Sequence, residues 1–132
     1  MARTASSITQ HDWNDNTWTT GTPTTPIKTL SGVTESKTGS FDARTYWQLQ
    51  VTVDINYDAT PTNSVTIYLY GSVDGTNFDD TPMDLIAGDK TTDPEQLTIM
   101  LFSPPAYLQI GFVQTGSTDS HDISSVKIIG YN

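Results

Sequence analysis

The chain has no cysteine, only 6 lysines and arginines, and 2 histidines among 132 residues. Without cysteine there are no disulfide frameworks, thiolate metal sites or cysteine nucleophiles. The few cations face 15 acidic residues, leaving a formal charge of −9. That balance argues against a nucleic-acid partner, because phosphate neutralisation needs clustered Lys and Arg. No apolar run approaches the ~18 residues of a membrane-spanning helix, so no membrane partner is expected. The first ten residues, MARTASSITQ, lack the apolar stretch of a signal peptide. With charged residues at only 16%, a coiled coil and a charged disordered tail are both poor fits.

Hydroxyl side chains fill the gap, with 23 Thr and 12 Ser. Apolar residues are unevenly spread. Residues 1–40 hold 9 of them and 11 Thr, whereas residues 41–132 hold 37. Ordering a backbone costs roughly 1–2 kcal/mol per residue, which so polar a segment does not offset by burial of its own. The sequence therefore predicts two parts: an extended N-terminal arm over 1–40 and a folded domain over 41–132. The competing reading of the first part is a long loop with one short strand near Ile27 to Val33.

Period-two alternation begins after residue 45. Trp47, Leu49, Val51, Val53, Ile55 and Tyr57 alternate with polar residues, which predicts a half-buried strand. A second strand places Val65, Ile67, Leu69 and Val73 inward and Thr66, Tyr68, Tyr70 and Ser72 outward, ending at the Asp74-Gly75 turn. Three more follow around Leu97–Leu101, Leu108–Phe112 and Val126–Ile128, with one to three weaker strands in 27–44 and 78–87. Residues 81–89 have at most one helical turn. The expected fold is all-β: an antiparallel β-sandwich, jelly-roll-like, with an extended N-terminal arm.

The inventory for catalysis is thin. His11 falls in the polar segment and His121 in a polar turn, so a Ser-His-Asp system has little to recruit. Gly71-Ser72-Val73-Asp74-Gly75 does not match the nucleophile-elbow pattern and leads into a hairpin. The carboxylates lie mostly in turns, where water keeps them ionised. No enzymatic activity and no cofactor are expected. Asp12, Asn14 and Asn16 have the start of a calcium-loop spacing, but Thr17 stands at the glycine position and Pro23 at that of the final glutamate. Asp74, Asn77, Asp79 and Asp80 form a second, weak group of oxygen ligands.

Aromatic residues offer a third kind of site. Trp13 and Trp18 stand in a polar segment with no local apolar pattern to explain them. Either they anchor the arm in a partner or they fold back over the domain's own core. Ile27 is a further anchor candidate. Tyr68 and Tyr70 share the outward strand face, where they stack on a sugar, meet a subunit, or lie partly covered. Trp47 follows the core alternation and is expected to be structural.

IYLYGSVDGTNF (67–78), followed by Asp79, Asp80, Thr81 and Pro82, resembles the xGSxDGxxW/F hairpin of small virion proteins of tailed bacteriophages. PPAYLQIGFVQTGS (104–117) is similar to the strand that pairs with it in such proteins. The resemblance covers roughly residues 45–131. It implies a capsid decoration (cement) protein: a small, often trimeric β protein on the outer capsid surface that bridges major capsid subunits. The implied partners are the major capsid protein and further copies of the chain, as a trimer or a dimer. Assembly is then expected in the host cytoplasm, in keeping with the lack of cysteine. The alternatives are a tail, baseplate or fibre-associated adhesin, and a carbohydrate-binding sandwich module.

Overall fold

The computed structural model describes residues 5–116 and 118–132. The described residues are all-β: eleven strands in two antiparallel sheets packed face to face. The strands are β1 (Ala5–Asp12), β2 (Thr17–Thr19), β3 (Lys28–Thr29), β4 (Ser36–Lys37), β5 (Phe41–Asp42), β6 (Gln48–Asn56), β7 (Val65–Ser72), β8 (Asp84–Ala87), β9 (Glu95–Leu101), β10 (Tyr107–Gln114) and β11 (Asp122–Tyr131). The first sheet runs β2-β1-β11-β6-β9, with β3 also paired to β11. The second runs β4-β10-β7-β8, with β5 also paired to β10. After β5 the chain crosses to the first sheet for β6, returns for β7 and β8, and crosses three more times through β9, β10 and β11.

Alternation builds the core as expected. Leu49, Val51, Val53 and Ile55 of β6 and Val126 and Ile128 of β11 face Ile67 and Leu69 of β7 and Leu108, Ile110 and Phe112 of β10, all buried. These four strands direct alternate side chains into the core, so a register slip of one residue would turn the whole set to water.

Residues 5–40, expected as an extended arm, add strands to both sheets. β1 pairs with β11 from Ala5 to Gln10, β2 folds back on β1, β3 adds to β11, and β4 pairs with β10. Leu30 and Thr38 are fully buried. The ordering cost that their composition does not cover is offset by pairing with a preformed edge. Further corrections lie at strand ends. Val73 is 90% exposed because β7 stops at Ser72 and the turn carries Val73 outside the sandwich. Trp47 keeps the phase of β6 but precedes its first residue, beyond the end of the core, and is 44% exposed. The weaker strand expected within 78–87 is β8, paired to β7 through Ile67–Ile86 and its neighbours.

Candidate binding surfaces

The expected anchors Trp13 and Trp18 are both partly buried against the chain's own core. His11, fully buried at the inner face of β1, lies between them, with ring centroids 4.3 Å from Trp13 and 4.9 Å from Trp18. Trp13 continues to Phe112 at 6.2 Å, and Trp18 to Phe41 at 5.5 Å. The rings close the open side of the sandwich between the two sheets. Gly39 fixes the arrangement: its N–H donates to His11 Nε2 at 3.2 Å, and its carbonyl accepts from the Trp18 indole at 3.0 Å. Only glycine serves there, because a Cβ would overlap the carbonyl of Asn16.

Since His11 Nε2 accepts, the ring proton sits on Nδ1; the buried indole N–H of Trp13 has no hydrogen-bond partner among the described residues. Burial pushes the His11 pKa down from 6.5 to about 4, against the opposing pull of Asn16, Asp12 and Asp15. Ile27 is exposed just before β3.

Tyr68 and Tyr70 both point away from the core, but only Tyr68 keeps access to solvent. Tyr70 is buried because residues 33–37 cross the sheet above it: its phenol donates to Glu35 at 2.7 Å, and Lys37 lies 4.6 Å from its ring centroid. Burial first, and then the Glu35 bond, raise the phenol well above its usual range. Gly111 makes room for the Glu35 carboxylate, which a Cβ would strike.

The weak metal candidates are engaged in turns. Asp74 accepts from the N–H groups of Asn77 and Thr76 and from the Asn77 amide, which hold it far below the usual carboxylate range. Asp79 and Asp80 are exposed beside this turn. Asp12 accepts from the backbone N–H groups of Thr24, Asn14 and Thr25, so its carboxylate folds the segment that the calcium-loop spacing suggested. Among the described residues no group of three His, Cys, Asp or Glu is placed to hold a metal.

Ser72, expected to point outward, is buried. Its hydroxyl donates to the Asn77 carbonyl at 2.6 Å and accepts from the N–H of Gly75 at 3.0 Å, so it locks the hairpin. His121 is equally structural. Its Nδ1 accepts from the N–H of Asp58 at 3.0 Å, and its Nε2 donates to the Asn63 carbonyl at 2.7 Å and to Asp119 at 3.1 Å. Asp119 also accepts from the N–H groups of Thr62 and Asn63 and from the Thr62 hydroxyl. Burial acts to raise its pKa, but the donors outweigh burial and the net shift is downward.

Two surfaces of the described residues face solvent. On the outer face of the first sheet, register aligns Ile8, Ile129, Gln50 and Met100 across four strands. Tyr131 lies on the same face, its hydroxyl 3.3 Å from the Gln50 amide oxygen, and Phe102, 67% exposed, follows β9 at that end. The second surface is a cleft of about 380 Å³ where Trp13 and Asn16 meet Lys28, Lys37 and residues 34–36. Neither was legible from sequence, since each depends on cross-strand register or on the path of a loop. No protein-family model matches the chain, and no curated protein matches it.

Proposed function

We propose that the chain is a non-enzymatic virion protein that binds the outer surface of a bacteriophage major capsid protein lattice and stabilises the head. The observation that carries this reading is the apolar outer face of the first sheet. An antiparallel sheet facing water is expected to be polar on that side, yet Ile8, Ile129, Met100 and Phe102 stand there together. Contiguous exposed apolar residues rimmed by polar ones suit an interaction surface. Gln10, Lys127, Thr52 and Thr98 form such a polar row beside them.

Two further features support the reading. The strand order β1-β11-β6-β9 over β4-β10-β7-β8 is the order we assign to a jelly roll, a fold shared by capsid and lectin domains. Both histidines and the turn carboxylates serve the scaffold, so a lattice-binding role asks for no chemistry beyond burial. On the lattice the favoured assembly is a trimer, with a dimer as the alternative, built in the host cytoplasm and displayed outside the head. Mixing the purified protein with expanded capsids that lack it tests the function. Saturable binding and a higher temperature of capsid disruption are expected; absence of both would overturn the proposal.

A further inference from the structure

The cleft beside the aromatic cluster offers an unusual set of groups for so acidic a chain. Its walls come from the turn after β1 (Trp13, Asn16), from β3 (Lys28), from β4 (Ser36, Lys37) and from Thr34 and Glu35 between the last two. The described cations are Lys28, Lys37, Arg44, Lys90 and Lys127, and two of the five line this one hollow. Arg44 is taken up by Asp42 at 2.8 Å, and Lys90 donates to the Thr62 carbonyl at 2.9 Å. Lys28 and Lys37 make no ion pair among the described residues; their ammonium groups instead lie over rings, 6.0 Å from the Trp13 centroid and 4.6 Å from that of Tyr70. Two lysines outside any ion pair thus share one hollow with the single carboxylate of Glu35, in a molecule of net charge −9.

The remaining walls narrow the ligand. The Trp13 ring lines the cleft with the Lys28 ammonium 6.0 Å from its centroid, and an aromatic ring packs well against the C–H side of a sugar ring. Asn16, Thr34 and Ser36 supply neutral donors and acceptors. Glu35 has one oxygen occupied by Tyr70, and its charge opposes a dianionic phosphate while accepting from a hydroxyl. The net negative charge repels polyanions. A volume of about 380 Å³ is at the small end of ligand sites.

The geometry points to a binding site for an acidic sugar residue, its carboxylate between Lys28 and Lys37 and its ring on Trp13. This does not rest on the capsid reading, and the cleft shares no residue with the apolar face of the first sheet. Titration of the isotope-labelled protein with 3′-sialyllactose, followed by amide and indole NMR shifts, tests it. Saturable shifts are expected at Trp13, Ser36 and Lys37, with lactose binding about tenfold weaker or worse for want of the charged group. Lys28→Gln combined with Lys37→Gln should weaken 3′-sialyllactose binding about tenfold or more, and the fold should persist because neither ammonium is hydrogen-bonded among the described residues. Equal binding of lactose, no effect of the double variant, or identical shifts from acetate at the same concentration would each overturn the site.

Discussion

The phenol of Tyr70 donates to the carboxylate of Glu35 at 2.7 Å, and through that bond a polar loop becomes the cover of the second sheet. Glu35 reaches Tyr70 only because residue 111, beneath it, has no side chain. Gly111→Ala should therefore lift the loop and destabilise the fold by about 1–3 kcal/mol, the usual cost of overpacking. Tyr70→Phe, which removes only the donor, should cost about 1 kcal/mol. Urea unfolding of both variants checks the order; equal and negligible effects would show that the loop does not depend on the bond.

The two kinds of tryptophan should separate in the same assay. Trp18 packs on Phe41 and His11 and donates to Gly39, so Trp18→Ala should cost about 3 kcal/mol. Trp47 lies past the core's end, and Trp47→Ala should stay within about 0.5 kcal/mol. The opposite order would mean that the aromatic closure of the sandwich is misassigned.

His11 makes stability depend on pH in a defined window. Its folded pKa is depressed to about 4, below the 6.5 of an exposed imidazole. Between those values the unfolded chain binds the proton more readily, so the stabilising effect of a neutral His11 is complete above 6.5 and is lost as pH falls towards 4. Denaturation midpoints from pH 7 to 4 should fall for the native chain. The His11→Phe variant should show a shallower slope over the same range, whatever its absolute stability; unchanged slopes would remove His11 from the account.

Asp119 ties the loop at 62–63 to the turn before β11. Asp119→Ala leaves the N–H groups of Thr62 and Asn63 without their acceptor and should lower the urea midpoint clearly. Asp80→Ala, at an exposed turn position, should leave it in place. Equal midpoints for the two variants would count against the network.

Five strands were legible because their inner positions are aliphatic: β6, β7, β9, β10 and β11 all show the alternation that burial imposes. β1 was not, because its inner positions include His11, which faces the rings of Trp13 and Trp18, and Thr9, whose hydroxyl donates to the Ile128 carbonyl. A strand sealed by aromatics from a neighbouring turn carries no period-two signature, so the segment read as an arm. Tyr70 was placed on the correct side but not its cover, and Val73 was misplaced at the strand end. The pattern tells which side of a sheet a residue takes, but neither what crosses that side nor where the sheet ends.

The most direct test of the proposed function is the number of copies bound per capsid, measured on expanded capsids lacking the protein for the native chain and for a variant with Ile8→Asp and Phe102→Asp. Both positions are exposed on the first sheet's outer side, so the variant should keep its fold. The account predicts that the native chain saturates at a fixed ratio to capsid subunits and that the variant binds about tenfold more weakly or worse. No saturable binding of the native chain would contradict it, as would full occupancy by the variant.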